Sequence, residues 1–333
     1  MQIGKIGSNR LKEIILDKVN HRREDVLVPA GLGEDSAVVD FGQEVLVISS
    51  DPITGANKKA GYLAVNVACN DIAATGAKPL GIQVVMLMPE TMSDIDITNL
   101  IEEIDESAAA IDVEVLGGHT EVLSSVSEPI IVVTAIGKTS RESFISTGGA
   151  QPGDDLVITK GVGIEGTYIL ANDFQGLLQK KGVSQEIIEN ALAYEKKLSV
   201  IKEGLIASES GVHALHDITE GGLYGAVEEM SQAAGSGFEL WVDQIDIDYT
   251  TETICNVLKI DPLGLISSGS MLIALPDGEG LIKKLKNRGI NAIKVGRVLD
   301  SEKNILKNDI KQQFNWNGRD ELWRFMENNE KNS

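Results

Sequence analysis

The chain has 333 residues and a net charge of -20, with 30 Lys and Arg against 50 Asp and Glu. This length favours two domains, and the acidic balance excludes nucleic acid as a main partner, because phosphate contacts need a basic surface. No apolar run approaches the length of a membrane span, and the opening MQIGKIGSNRLKEIILDK is charged where a secretory signal would be apolar. A soluble cytoplasmic protein with no membrane partner is expected. Cys69 and Cys255 are too few for a metal cage and show no CxxC pairing, which predicts buried free thiols.

Taken in chain order, residues 8–19 predict a helix, with Ser8 as its cap and Leu11, Ile14, Ile15 and Val19 as its apolar stripe. The short runs DVLVP, SAVVDF and EVLVISS predict strands, and FGQE between the last two predicts a hairpin. AGYLAVNVACNDIAATGAKP is Ala-rich and ends on the stop signals Gly76 and Pro79. GIQVVMLM predicts a strand, and ITNLIEEIDESAAAI a helix with Ile97, Ile101, Ile104 and Ala108 on one face. VEVLGGHTEV and PIIVVTAIG return to strand. Gly, Pro and Ser cluster near 146–155 and predict a domain boundary. DLVITK and a glycine loop, GVGIEGT, open the second half, and helical stretches follow to about Ser208. HDITEGGLYGAVEEMSQAAGSG predicts a loop feeding a helix that carries Leu223, Val227 and Met230 on one face and stops at Gly235. SGSMLIALP and AIKVGRVL predict late strands. The polar tail carries Trp316, Leu322, Trp323 and Phe325 and is expected to dock in part. The element order predicts two α+β domains without the strict strand–helix alternation of a doubly wound sheet.

Six stretches carry chemistry, and each leaves two readings open. In GLGEDSA, Gly31 and Gly33 permit a sharp turn close to a ligand, so Asp35 is a turn residue or a ligand-facing acid. Asp51 ends an apolar strand before Pro52, as a turn former or as a carboxylate of the kind Mg²⁺ takes together with waters and phosphates. Asn70 and Asp71 interrupt an Ala-rich segment in which an unpartnered carboxylate is expensive to bury. Gly117 and Gly118 precede His119, Thr120 and Glu121, where His119 and Glu121 are candidate metal ligands and a structural His is the plain alternative. His216, Asp217, Thr219 and Glu220 stand before Gly221 and Gly222 at a helix start, which serves an anion or a simple N-cap. VITKGVGIEGT lacks the P-loop order, yet Gly161, Gly163 and Gly166 after a strand can form a phosphate nest with Lys160 adding charge.

The ordered set GEDSA, SSDP, NDIAATGAKP, GGHTE, PGDD and HDITEGG resembles the aminoimidazole ribonucleotide synthetase superfamily over about residues 1–300. That superfamily includes selenophosphate synthetase, thiamine-monophosphate kinase and the hydrogenase-maturation protein HypE. HDITEGGL, AAGSGFEL and DPLGLISSGSMLIAL are most similar to the HypE pattern. The resemblance implies an α+β fold of two domains. Residues 1–148 would form an N-terminal ATP-binding domain that pairs into a β-barrel in a homodimer, and 149–333 a C-terminal α/β sandwich. It implies ATP and Mg²⁺ as cofactors, and phosphoryl transfer that activates an oxygen of an unidentified small-molecule or protein-borne acceptor. Matched residue by residue, Asp35, Asp51 and Asp71 fall on Mg²⁺- and phosphate-handling acids. His119 falls where an acid is usual, with Glu121 as its substitute. His216 and Asp217 fall on a second-domain loop that faces the reacting phosphate. Gly33, Asn70, Gly117, Gly118, Lys160, Gly161 and Gly163 complete the expected nucleotide-binding set.

The departures bear on the substrate. HypE proteins end in a Pro-Arg-Ile-Cys tail whose thiol carries a carbamoyl group, whereas this chain ends in MENNEKNS. GKIGSNRLK lacks the reactive Cys of selenophosphate synthetases, and DITEGGL stands where thiamine-monophosphate kinases show Ser-Asp-Gly-Leu. Two alternatives to a HypE-like enzyme therefore stand: a small-metabolite kinase or cyclo-ligase, and a non-catalytic nucleotide-binding partner in a maturation complex.

Overall fold

The computed structural model describes residues 7–53 and 59–330. Its first part runs α1 (Ser8–Ile14), β1 (Val26–Val28), β2 (Ala37–Asp40), β3 (Glu44–Ile53), α2 (Ala60–Ala73), β4 (Lys78–Pro89), α3 (Asp94–Ala110), β5 (Glu114–Leu123) and β6 (Ile130–Ser140). The second part runs β7 (Asp155–Thr159), α4 (Ile164–Asp173), α5 (Gln175–Lys180), α6 (Gln185–Leu192), α7 (Ile201–Ser208), β8 (Ala214–Ile218), α8 (Gly222–Ala234), β9 (Gly237–Trp241), α9 (Tyr249–Leu258), β10 (Ser270–Leu275), α10 (Gly278–Asn287), β11 (Ala292–Leu299), β12 (Lys303–Lys307), β13 (Ile310–Gln313) and α11 (Glu321–Glu330). The fold is mixed α+β, with one sheet in each part.

The first sheet has the order β1-β2-β3-β6-β4-β5, antiparallel except for the parallel pair β4–β5. In β3 the buried residues Val45, Val47 and Ser49 alternate with more exposed neighbours, the period-2 pattern of a strand with one face on a core. That core lies under α2 and α3. A capping box between Ser93 and Asp96 starts α3, and its stripe of Leu100, Ile104 and Ala108 is buried. Nearly every residue of α2 is buried, because its small residues admit close neighbours on several sides; a Cβ at Gly61 would meet Ile104 Cγ1 at 2.9 Å.

The second sheet has the order β13-β12-β9-β11-β7-β10-β8, antiparallel except for β12–β9. Alternate residues of β7 serve two cores. Leu156 and Ile158 face the cluster that includes α8, and Val157 faces the cluster shared with α7 and α10. A third cluster joins α4, α5, α6 and α9 to α11, where Leu322 and Phe325 are buried and the Phe325 ring meets Phe174 edge-on at 5.1 Å. The tail therefore docks. Trp316 lies against Gly221, and Asp320 accepts hydrogen bonds from Gly221 N at 2.5 Å and Leu322 N at 2.7 Å.

Three sequence expectations are corrected. The helix expected over 8–19 breaks into α1 and a 3-10 turn at Leu16–Lys18, and its N-cap is Gly7 without a side-chain cap. Its stripe finds no core, since Ile14, Ile15 and Val19 are all exposed. The loop expected at His216 and Asp217 is strand β8; two polar residues inside a five-residue run hide the strand pattern. Cys69 and Cys255 are free and buried as expected, and burial pushes both thiols up to about 12.

Candidate functional site

The site forms where the end of α2 and the loop after β1 meet β8. Gly33 turns that loop with φ +75°, and a Cβ there would lie 2.5 Å from the Glu229 carbonyl oxygen. Glycine is therefore what lets the loop pack on α8 and deliver Asp35. Ser36 Oγ donates to the Asp71 carbonyl at 3.1 Å, which ties the loop to α2.

Asp35 Oδ1 lies 2.6 Å from His216 Nδ1, off the direction of a hydrogen bond, and His216 Nε2 lies 3.1 Å from Glu229 Oε2. The imidazole is 4% exposed and is held between two carboxylates. Burial alone works against its charged form, yet Asp35 and Glu229 outweigh it and hold the pKa well above the ordinary value. Thr147, on the turn between the two sheets, places Oγ1 3.3 Å from Asp35 Oδ2 and 3.0 Å from the Leu215 carbonyl oxygen.

Asp71 faces this group from the last turn of α2. Ser49 Oγ donates to Asp71 Oδ2 and lies 3.5 Å from Asp51 Oδ2, so one hydroxyl joins two of the predicted acids. Burial raises the Asp71 pKa well above the usual carboxylate range, and Asp217, Asp51 and Asp35 raise it further. Four acids predicted from distant stretches thus share one electrostatic neighbourhood. Asp35, His216 and Asp217 each bring a ligand atom within 4.8 Å of the others. Two carboxylates and an imidazole at this spacing, with Asp71 and Asp51 close enough to act on one another electrostatically, suit a divalent cation, and the carboxylates repel one another without a positive charge among them.

Asn70 lies beside this site in another role. Its Nδ2 donates to the Leu198 carbonyl and its Oδ1 accepts from Val200 N, both at 2.8 Å and fully buried. Both amide atoms are used to clamp α2 to the second part of the chain. Lys160 is also engaged. Its Nζ donates to the carbonyls of Lys197 at 2.8 Å and Ser199 at 2.6 Å, and pairs with Glu203 at 2.8 Å. Burial pushes its pKa down while Glu203 opposes the shift. Gly161 and Gly163 form the turn from β7 into α4, with Gly163 as the helix N-cap. The Gly161 carbonyl accepts from Ser270 Oγ at 2.6 Å.

His119 and Glu121 are not brought to the cluster. They stand on the edge strand β5, 66% and 54% exposed, with Nε2 and Oε2 3.6 Å apart. A Cβ at Gly118 would collide with the Val84 carbonyl oxygen, so Gly118 serves the close β4–β5 pairing. Sequence reasoning passed over Glu229, Ser49 and Thr147. Glu229 sits on the polar flank of α8 beside Glu228 and carries no local signal of its own.

Models of the AIR synthase related protein family match the chain, the N-terminal domain over residues 33–139 and the C-terminal domain over 151–308. A Methanocaldococcus jannaschii protein of the hydrogenase expression/formation group is 28% identical over 316 residues, covering 90% of this chain and 91% of its own. The carbamoyl dehydratase HypE of Rhodobacter capsulatus is 25% identical over 279 residues, covering 82% and 79%. Among solved structures, that of a HypE–HypF complex superposes with a TM-score of 0.72 at 20% identity, covering 92% of this chain and 98% of the other. HypE in complex with ATP gives 0.68 at 19% identity over 97% and 98%. A ThiL complexed with AMPPCP and TMP gives 0.70 at 17% identity over 92% and 94%. At these identities the structures show a shared fold.

Proposed function

Because the chain belongs to the AIR synthase related family, we propose that it is an ATP- and Mg²⁺-dependent enzyme that activates an oxygen of an unidentified acceptor by phosphoryl transfer. The observation that carries this reading is the convergence of Asp35, Asp51 and Asp71 with His216 and Asp217 across the two halves of the chain. Asp35, Asp71 and Asp217 would hold Mg²⁺, with Asp51 completing the set. The bound ion would neutralise phosphate charge as the γ-phosphoryl group transfers. The charged His216 stands between Asp35 and Glu229 and offsets their negative charge. Asp217, on the rigid strand β8, fixes the second half of the site.

The chain would work as a cytoplasmic homodimer. The unpaired edge of β5 and the exposed Leu80, Leu116 and Val122 support pairing of the first sheets. The M. jannaschii and R. capsulatus relatives favour a HypE-like reaction. The likeness to ThiL supports a second reading, a small-metabolite kinase; a phosphorylated acceptor released without dehydration separates the two.

The test is calorimetric titration of ATP with Mg²⁺ and then with EDTA, followed by ADP release on the same sample. Mg²⁺-dependent binding that is lost in Asp51→Ala and Asp71→Ala is expected. Binding and turnover intact in both folded variants would overturn the reading.

A further inference from the structure

A cleft of about 850 Å³ opens at the end of α2 remote from the acid cluster. It lies twelve residues up the helix from Asp71, on the order of 18 Å along the axis. Its walls come from both halves of the chain: the start of α2 and one face of α3 on one side, and α4, the end of α6 and the turn after it on the other. Among the described residues, Asp96, Glu102, Glu103, Glu106 and Glu195 line it against the single ammonium of Lys59, four negative charges in excess. Leu100, Leu192 and Met92 give it an apolar floor.

Two observations suit the cleft to a cation with an aliphatic body. Lys59 Nζ lies 3.6 Å from both Glu103 Oε1 and Glu195 Oε1, so a primary ammonium already bridges the two halves there. Glu103 is itself fixed by accepting from Gly61 N at 3.1 Å. Independently, Tyr168 lines the cleft, is 4% exposed, and its hydroxyl has no hydrogen-bond partner among the described residues. That hydroxyl is not one of the sealed polar atoms of the core, so it keeps contact with the cavity. Burial, with Glu195, Asp173 and Glu103 nearby, pushes its pKa up to about 12, which keeps it a neutral phenol with an oxygen free to accept.

We propose that this cleft binds an aliphatic di- or polyamine. Glu102 and Glu106, one turn apart on the exposed face of α3, pair with one ammonium. A second reaches Glu103 and Glu195 in place of Lys59, the methylenes lie along Leu100 and Leu192, and the Tyr168 oxygen accepts an ammonium N–H. The cavity is far larger than a hydrated divalent ion, and its apolar floor gives such an ion nothing. Because the ligand would touch both halves of the chain, its binding would hold them together at the end of α2 remote from the acid cluster.

The test is calorimetric titration of the full chain with spermidine at physiological salt, with Mg²⁺ at equal ionic strength as the competitor. Saturable one-to-one binding is expected, weakened at least tenfold in the double variant Glu102→Gln/Glu106→Gln and several-fold in Tyr168→Phe. Lys59→Met should bind several-fold tighter, because the resident ammonium no longer competes. Absence of saturable binding, equal affinity in the double variant, or full displacement by Mg²⁺ would overturn the proposal. The glutamine changes lie on an exposed helix face and outside the acid cluster, so Mg²⁺-dependent ATP binding serves as their folding control.

Discussion

Replacing Asn70 with alanine tests whether the two halves of the site are held by one side chain. The amide makes two buried hydrogen bonds of 2.8 Å, to the Leu198 carbonyl and from Val200 N. Alanine leaves both partners buried without water. An orphaned buried polar group costs about 1–3 kcal/mol, so the pair costs about 4 kcal/mol. At roughly 2 °C per kcal/mol for a chain of this size, the melting midpoint should fall by about 8 °C. Asn66→Ala on the same helix is the control. Its amide bonds back to the Tyr62 carbonyl one turn away, which keeps its own helical bond, and the loss should be about 1 kcal/mol. Urea denaturation followed by circular dichroism gives both values. Because Asp71 is the next residue, Asn70→Ala should also weaken Mg²⁺-dependent ATP binding, whereas Asn66→Ala should leave it unchanged. Equal costs for the two variants would refute the clamp.

Two further outcomes are expected. Asp320 has its pKa raised from 3.8 to about 7 by burial, against the pull of the Gly221 and Leu322 backbone amides that donate to it, with Glu220 and Glu165 adding to the rise. A raised carboxyl binds its proton more tightly in the folded state. Its contribution is therefore full below about pH 4 and lost as pH rises through about 7, at most about 4 kcal/mol; Asp320→Asn should flatten this part of the stability–pH curve, and an unchanged slope would refute the assignment. Gly33→Ala forces a side chain into φ +75° and against the Glu229 carbonyl oxygen. A loss of about 2 kcal/mol or more is expected, with weaker nucleotide binding, and an unchanged melting midpoint would show that the loop yields.

The local elements were legible where period and punctuation agreed. EVLVISS alternates cleanly and FGQE turns it, so the β2–β3 hairpin follows directly from residues 37–53. The acids were legible as a set in sequence order. Their meeting was not, because Asp35 and His216 approach across the two halves of the chain and no short-range pattern encodes such a contact. His216 and Asp217 break the apolar run of β8, so a strand reads as a loop. Asn70 reads as a ligand-facing polar residue because sequence does not show that Leu198 and Val200 leave a carbonyl and an amide opposite it. His119 shares the glycine-rich context of the other motifs, yet Gly118 beside it is explained by backbone crowding at the β4–β5 pair. The helices α9 and α11 are short, and their apolar positions gain meaning only from the core they share.

The clamp at Asn70 also has a history in time. Its partner at Leu198 lies 128 residues further along the chain. At about 5–20 residues per second of synthesis, the inner end of α2 waits roughly 10 s for the residues that cover it. Throughout that interval the first half of the newborn protein presents an alanine-rich helix with a polar amide in its last turn that has no partner from the second half. The acid cluster is thus completed only when the second half of the chain has folded back onto the first.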